Sequence, residues 1–448
     1  MCIDTNSTTN SILFLASSLN IGGLTTYIAK KAQWLVQHGW KATIASPDGL
    51  GKRLLKNKCV RHYILPELAD SLYLGDLSCA MASLSKLSTI VRQEQVNIIE
   101  SHAPLSSEHG EALSRILQIP LIVVSLSSAY VTKRYRPWLD TWAAQGRFHA
   151  AYYSLIAEIK RAAINIDVSK CQVIRVPIEV TQDLQSTDLT VQGQQVRADL
   201  NIPADATIIL SVSRLDPDKA YIGPLIEQFT RQVFSRRPLY LVILGDGADK
   251  QRLQRLAKRH KRRLANSGKH IVFVKSQVEL APFYRMAQVF VGQGTSALEA
   301  ANCGLPVVLA TIPPLQDVSM GYFGQDTHLS IGEVIPEGVR CTYGELIVQI
   351  LDNPDCRTAI AEQGRAAVQD HFGVAMVMKR QAEIYKHVIA EWANSRVHSI
   401  ENCVPWKYYP STPLEYAQRW VWHRISPSLR FRIANSLRSK SNSSLKVN

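Results

Sequence analysis

Apolar and polar residues change along this chain in blocks that predict strands and helices in turn. Short apolar runs, such as residues 12–17, are typical of buried strands, whereas the apolar spacing of residues 24–38 is typical of a helix. Strands are predicted at 12–17, 41–46, 60–64, 97–100, 121–125, 172–176, 208–213, 239–244, 271–274, 288–291 and 305–310. Alternation with helices favours an α/β protein with mostly parallel sheets.

The helices predicted between these strands repeat the same order in both halves of the chain. They fall at 24–38, 51–57, 77–95, 106–117, 148–164, 222–235, 248–265, 279–286, 297–303, 343–353, 355–370 and 374–395, and residues 126–147 are less regular. A polar, glutamine-rich segment separates the halves. We therefore predict an N-terminal domain at 1–180, a linker at 181–200, a C-terminal domain at 201–375, and a last helix with a tail at 376–448.

Composition narrows the class of protein. The chain has 448 residues, 46% hydrophobic and 20% charged, which is typical of a globular protein with a sizeable core. No apolar run approaches the roughly 20 residues needed to cross a bilayer, and the N-terminus lacks the basic segment of a signal peptide. The eight cysteines are scattered without a C-x-x-C pair. This usage favours reduced thiols in the cytoplasm over disulfides or structural zinc.

Residues 291–308 carry the first candidate site. Gly292-x-Gly294 allows a tight turn after a predicted strand, and Thr295 and Ser296 stand where a helix N-cap is expected. A helix N-terminus after such a turn can bind an anion. An ordinary capped turn between a strand and a helix explains the same spacing equally well.

Two further turns strengthen the anion-site hypothesis. Arg214 and Lys219 follow a predicted strand, and Gly245-x-Gly247 ends the next one. Because ligands of parallel α/β sheets bind at the carboxyl ends of the strands, these turns are expected at the same edge. An arginine and a lysine suit a diphosphate, although each feature alone is typical of a solvated surface or a plain turn.

Taken in order, these motifs resemble nucleotide-sugar-dependent glycosyltransferases of the GT-B architecture, in the retaining group called family 4. The resemblance covers residues 11–395 and rests on Gly22-Gly23, Ser213-Arg214-Leu215-x-Pro217-x-Lys219, Leu244-Gly245-Asp246-Gly247, and Leu298-Glu299-Ala300-x-x-x-Gly304-x-Pro306-Val307. It implies two Rossmann-like, doubly wound parallel-sheet domains that face a cleft. It also implies an enzyme that moves a sugar from a nucleotide-diphosphate donor to a glycan or lipid-linked acceptor, with retention, as in polysaccharide biosynthesis.

The resemblance also implies roles for single residues. Arg214 and Lys219 would grip the donor diphosphate and stabilise the leaving group. Glu299 would bind the ribose hydroxyls. The other donor-binding residues would approach the phosphates through their backbone: Gly22, Gly23, Gly245, Gly247, Gly294, Thr295 and Ser296. No metal and no cofactor is expected beyond the donor substrate, of UDP or GDP type.

The sequence departs from the family pattern at two places. The family has a glutamate at the position of Val291, and a histidine near the end of the strand matching 121–125, where residues 125–128 have none. His102, after the preceding strand, matches a family histidine and is the remaining candidate for a catalytic role. These departures leave open an alternative, a glycosyltransferase-like protein that binds a sugar nucleotide or a glycan without turnover.

The C-terminal tail lies outside the resemblance. From residue 405 onward it has eight Lys or Arg and one acidic residue, with Trp and Tyr interleaved, within a total net charge of +14. Such a basic, aromatic, amphipathic segment suits an anionic membrane surface, which would place the protein in the cytoplasm or on the inner face of the membrane. Packing of 406–425 on the N-terminal domain is an equal alternative, a membrane-surface scaffold is a third function, and nucleic-acid binding is disfavoured because no recognition motif is present.

Overall fold

The structure of the chain is a computed structural model. It describes residues 9–394, except residues 21, 56–58, 73–76, 127, 131–134, 153–154, 157–158, 160–170, 181–186, 233, 235–237, 312–317, 326–328 and 333–340. The basic tail and the prediction of its membrane contact lie outside the described residues.

A seven-stranded sheet forms the N-terminal half, and every strand pair in it is parallel. Its strands are β1 (Ser11–Ala16), β2 (Lys41–Ser46), β3 (Arg61–Ile64), β4 (Ile98–His102), β5 (Leu121–Ser125), β6 (Phe148–Ala150) and β7 (Gln172–Val173), in the order β3-β2-β1-β4-β5-β6-β7. The helices whose bounds are described in this half are α1 (Gly23–Gln37), α2 (Leu77–Gln93), α3 (Pro104–Leu117) and α4 (Arg136–Ala144).

A second seven-stranded sheet forms the C-terminal half. Its strands are β8 (Thr207–Val212), β9 (Leu239–Leu244), β10 (Lys269–Val274), β11 (Val289–Gly292), β12 (Val307–Ala310), β13 (Val318–Tyr322) and β14 (Cys341–Thr342), in the order β10-β9-β8-β11-β12-β13-β14. The last two pairings are antiparallel.

Nine α-helices accompany the second sheet within the described residues. They are α5 (Thr187–Asp199), α6 (Ile222–Arg231), α7 (Lys250–Arg259), α8 (Lys261–Asn266), α9 (Ala281–Met286), α10 (Thr295–Asn302), α11 (Tyr343–Asp352), α12 (Pro354–Phe372) and α13 (Val374–Asn394). A short 3-10 helix covers Pro217–Lys219. The two-sheet α/β architecture predicted from the sequence is confirmed.

The central strands read as continuous apolar runs because both of their faces are covered. All six residues of β1 are buried, as are all five of β4 and β5. One apolar cluster continues from the N-terminal sheet, through Phe14 and Ile122, to the second sheet at Leu210 and Phe290. The two halves therefore share part of their core.

Some predicted elements differ in the structure. Residues 148–150 form strand β6, so the helix predicted at 148–164 is wrong at its start. The hydrophobic pattern of a short apolar run does not by itself distinguish a strand from a helix. Residues 187–199, inside the predicted linker, form α5. The basic helix predicted at 248–265 is two helices that meet at His260. The antiparallel strands β13 and β14 had no sequence prediction.

The last described helix, α13, packs on the N-terminal half. Gly373 pairs with Ile178 just before it, Tyr385 donates a hydrogen bond to Glu100 of β4, and Trp392 Nε1 donates to Gln118 O at 2.9 Å. The chain thus returns to its first domain after completing the second. Among the described residues, no helix is both long and apolar enough to span a membrane.

Candidate functional site

Two helix N-termini approach each other at the carboxyl edges of the two sheets. Gly22 is the N-cap residue of α1, and Gly294 is the N-cap residue of α10. Neither helix N-terminus is capped by a side-chain hydrogen bond. A β-carbon placed on Gly23 would lie 3.4 Å from Thr295 Oγ1, so the first turns of both helices are nearly in contact. Both helices direct positive dipole ends towards this place.

The N-terminus of α10 is built differently from the prediction. The N-cap is Gly294, with a φ of 68° that favours glycine, so the prediction that Thr295 and Ser296 supply a side-chain cap is wrong. The Ser296 hydroxyl instead donates to Val212 O at 2.9 Å and to Gln293 O at 3.1 Å, which fastens α10 to the end of β8. The backbone N–H groups of Thr295 and Ser296 have no acceptor among the described residues.

Lys219 lies close to this helix N-terminus through a glutamine that sequence reasoning missed. With the Gln293 amide oriented to satisfy its neighbours, its oxygen accepts from Lys219 Nζ at 2.9 Å and its nitrogen donates to Gly332 O at 3.1 Å. Lys219 itself ends the 3-10 helix after β8. The lysine is therefore held beside the turn that begins α10.

Arg214 lies on the same rim. Its Nη1 is 2.6 Å from Asp216 Oδ2, and its side chain is 53% exposed. Asp216 also accepts from Ala248 N at 3.0 Å, which connects the loop after β8 to the loop after β9. Arg214 is thus oriented by a neighbouring carboxylate and remains accessible to a ligand.

Gly245 and Gly247 are required by close packing between these same two loops. A β-carbon on Gly245 would lie 1.9 Å from Ser213 O, and one on Gly247 would lie 2.4 Å from Leu215 O. Gly245 also has a φ of 155°. The two glycines allow the loops after β8 and β9 to meet; contact with a phosphate remains a prediction for both.

Glu299 lies one turn into α10 and is half-buried. Tyr284 Oη donates to Glu299 Oε2 at 3.2 Å. Burial raises the pKa of this carboxyl, and the charge of Lys30 on α1 opposes the rise. Since Lys30 belongs to the N-terminal half and Glu299 to the C-terminal half, groups from both halves set the charge state of this carboxylate.

Val291, which stands where the family has a glutamate, and His102, the remaining catalytic candidate, are both far from solvent. Val291 is fully buried in β11 and belongs to the core of the second domain. His102 ends β4 and is also fully buried. Its Nε2 lies 2.8 Å from Glu100 Oε1, although the ring is not aligned for a regular hydrogen bond. Burial lowers the pKa of His102, and Glu100 opposes that shift.

Sequence reasoning missed the buried cluster to which His102 belongs. Lys31 Nζ of α1 contacts Glu100 Oε1 at 2.5 Å and Tyr27 Oη at 3.2 Å, and Tyr385 of α13 donates to the other oxygen of Glu100. Burial raises the pKa of Glu100, but Lys31 and His102 outweigh it and bring it to about 2. The cluster therefore holds a carboxylate anion inside the N-terminal domain.

His149 lies near this cluster on β6. It pairs in register with Val124, which pairs in turn with His102. Neither ring nitrogen of His149 has a hydrogen-bond partner among the described residues. Burial lowers its pKa to about 4. A neutral imidazole is consequently the stable form at this position.

The site can now be compared with known proteins. Residues 193–367 match the family model described as "Glycosyl transferases group 1". Over these residues the chain is similar to group 1 glycosyl transferases, and the whole chain has the GT-B fold. The matched range contains the candidate site residues of the second domain, from Arg214 to Glu299.

Relatives and solved structures extend the likeness to the N-terminal half. The chain is 24% identical over 343 residues to a D-inositol 3-phosphate glycosyltransferase of Kineococcus radiotolerans, covering 72% of this chain and 78% of the relative. The crystal structure of Anabaena HepE with UDP and glucose matches with a TM-score of 0.64 and 16% identity, over 84% of this chain and 100% of that one. Sucrose-phosphate synthase from Thermosynechococcus elongatus matches with a TM-score of 0.60 and 19% identity, over 85% and 100%. At these identities the solved structures establish the fold, and the family match supports sugar transfer.

Proposed function

We propose that this protein is a family 4-like retaining glycosyltransferase that moves a sugar from a nucleoside-diphosphate donor to a glycan or lipid-linked acceptor. The proposal includes a metal-independent reaction, a role in polysaccharide biosynthesis, and a cytoplasmic location with peripheral attachment to the inner face of the membrane. The binding of UDP and glucose by Anabaena HepE, which shares the fold, supports a nucleotide sugar as donor.

One observation carries the proposal: two helix N-termini without side-chain caps meet beside a lysine and an arginine. The first turns of α1 and α10 lie within van der Waals reach of each other at Gly23 and Thr295. Lys219 is bound to the glutamine that precedes Gly294, and Arg214 stands on the adjacent loop. Convergent N–H groups and fixed cations suit a diphosphate.

The same geometry suggests how the residues act. As the bond between sugar and diphosphate breaks, negative charge grows on the leaving phosphate. Lys219 and Arg214 stabilise that charge from positions fixed before the reaction. Glu299, one turn deeper, accepts hydrogen bonds from the ribose hydroxyls. The leaving phosphate itself takes the proton of the attacking acceptor hydroxyl on the same face of the sugar, so His102 is not needed as a base.

A binding assay tests the donor site. We expect UDP or GDP to raise the melting temperature of the protein, and Lys219→Ala to weaken nucleotide binding at least about tenfold. Lys379→Ala, which removes an exposed lysine from α13, is the matched control and should leave the affinity unchanged. Absence of any response to nucleoside diphosphates would contradict the proposal.

A turnover assay separates transfer from binding alone. Incubation with a panel of nucleotide sugars should release nucleoside diphosphate slowly even without an acceptor, and EDTA should not abolish the release. The free sugar or transferred product should keep the anomeric configuration of the donor. Tight nucleotide binding without any hydrolysis or transfer would favour the alternative of a non-catalytic binding protein, to which the buried Val291 and His102 give some support.

A further inference from the structure

Two short helices of the second domain carry a dense run of positive charge. Helices α7 and α8 cover residues 250–259 and 261–266, and the sequence has no Asp or Glu from 250 to 278. Eight Lys or Arg occur in the two helices: Lys250, Arg252, Arg255, Lys258, Arg259, Lys261, Arg262 and Arg263.

Most of this charge is exposed and has no carboxylate partner in the part of the chain that the structure describes. Lys250 contacts Asp246 at 2.5 Å and Arg252 contacts Asp249 at 2.5 Å. The remaining six have no carboxylate oxygen within 4.0 Å among the described residues, and all six are exposed. We call them the basic surface: Arg255, Lys258, Arg259, Lys261, Arg262 and Arg263.

The apolar side of these helices is already used. Leu253 and Ala257 of α7 and Leu264 of α8 are buried in the core of the second domain. The helices therefore lie flat on the domain and cannot turn an apolar face outward. A partner of the basic surface must be recognised by charge and not by insertion of hydrophobic side chains.

The basic surface lies away from the candidate site. Leu253 and Ala257 pack with Ile209 on one face of the second sheet, whereas Ala297 and Leu298 of α10 pack with Leu210 on the other. Adjacent residues of a strand point to opposite faces. The sugar-transfer reaction thus does not use these cations; a membrane-binding role for them rests on the peripheral attachment proposed above.

We propose that the basic surface binds the phosphate groups of an anionic lipid bilayer. The clustered cations of the basic surface can face many lipid phosphates at once. Each Lys or Arg near the bilayer surface adds to the electrostatic attraction. Residues 250–266 contain no Trp, Tyr or Phe on which single-stranded nucleic acid could stack its bases. A bilayer suits a flat, purely cationic surface better.

Vesicle cosedimentation of the full chain tests the proposal. The wild type should bind phosphatidylcholine vesicles that contain about one third phosphatidylglycerol, should not bind phosphatidylcholine alone, and should be released by high salt. Changing Arg259→Gln, Arg262→Gln and Arg263→Gln together should lower the partition coefficient at least about tenfold. Melting temperatures of both proteins establish that the variant is folded.

The matched control removes the same charge elsewhere. Lys379→Gln, Arg380→Gln and Lys386→Gln affect three exposed cations of α13 and should change vesicle binding by less than about twofold. Equal losses in both triple variants would show that net charge alone decides, and would overturn the proposal. So would undiminished binding by the α7–α8 variant, or binding to a single-stranded oligonucleotide that is tighter than binding to the vesicles and is lost in the same variant.

Discussion

Partial burial shifts the balance of Glu299 towards its protonated form. An ionised carboxylate can accept hydrogen bonds from two ribose hydroxyls, whereas a protonated one loses acceptor capacity. Burial raises the pKa of Glu299, and Lys30 only partly offsets this. The loss of the ionised form therefore begins at a higher pH than for an ordinary carboxyl group.

Nucleotide binding should accordingly weaken as the pH falls from neutral through the raised pKa of Glu299. Glu299→Gln should bind UDP or GDP about tenfold more weakly at pH 7 and should lose this part of the pH dependence. Calorimetric titration at several pH values measures both effects. Pyrophosphate, which lacks ribose, is the control ligand, and its affinity should respond equally in both proteins; an unchanged pH profile for the nucleotide in the variant would contradict the assignment.

Gly245 should be far less tolerant of substitution than Gly22. Gly245→Ala places a β-carbon 1.9 Å from Ser213 O in a backbone conformation with φ of 155°, so we expect a loss of at least about 2 kcal/mol in the free energy of unfolding. Gly22→Ala meets nothing within 4 Å and should cost under about 0.5 kcal/mol. Urea unfolding of both variants measures their free energies of unfolding. Equal losses of stability would show that the loop after β9 relaxes freely around the new β-carbon.

At the scale of elements, Lys269 closes the C-terminal end of α6. Its Nζ donates to Phe229 O, Thr230 O and Gln232 O at 2.9, 2.8 and 3.0 Å, and the side chain is buried. The last carbonyls of a helix lack partners within the helix. A cation at this end also complements the helix dipole. One lysine at the start of β10 thus fixes the end of a helix that precedes it by almost forty residues.

Removing this lysine should destabilise the second domain. Lys269→Met keeps the apolar length of the side chain but leaves three carbonyls without their donor, two of them buried, and we expect a loss of about 2–3 kcal/mol. Lys261→Met, at an exposed position of the same basic region, should cost less than about 0.5 kcal/mol. Thermal and urea unfolding measure the difference in stability between the two variants. An unchanged stability of Lys269→Met would mean that water replaces the ammonium group.

The sequence predicted an element well where a single hydrophobic pattern runs through the whole element. Leu121–Ser125 and Leu239–Leu244 occur with the predicted bounds, α1 is displaced by one residue at both ends, and α13 begins at the predicted residue 374. Short strands such as Phe148–Ala150 are too brief for periodicity to identify. The N-cap was misassigned because the Ser296 hydroxyl donates to Val212 O of β8, 84 residues away, and local spacing does not contain that contact.

The same limit applies to the candidate site. Arg214, Lys219 and Glu299 could be chosen because they follow strands that end at one edge of a parallel sheet. Gln293, which orients Lys219, and the cluster around Glu100 could not be predicted in this way. Glu100 meets Lys31 across 69 residues and Tyr385 across 285 residues, so only the completed fold brings these groups together.

At the scale of the whole molecule, Glu100 connects the N-terminal sheet with the helix that returns from the second domain. One oxygen binds Lys31, which also lies 4.7 Å from the Tyr27 ring, and the other accepts from Tyr385. All four side chains are buried, so no water replaces a lost partner easily. A buried charge without its partner is strongly destabilising.

The Glu100 cluster should therefore show large single effects that do not add. Glu100→Leu should lower the free energy of unfolding by about 3–5 kcal/mol, because it leaves the Lys31 ammonium buried without its carboxylate. The further change Lys31→Met removes that stranded charge, so the double variant should regain at least about 2 kcal/mol relative to Glu100→Leu. Tyr385→Phe, which removes one hydrogen bond and keeps the ring, should cost only about 1–2 kcal/mol. Urea unfolding of the single and double variants completes the cycle; additive losses would mean that Glu100 and Lys31 do not act as a unit.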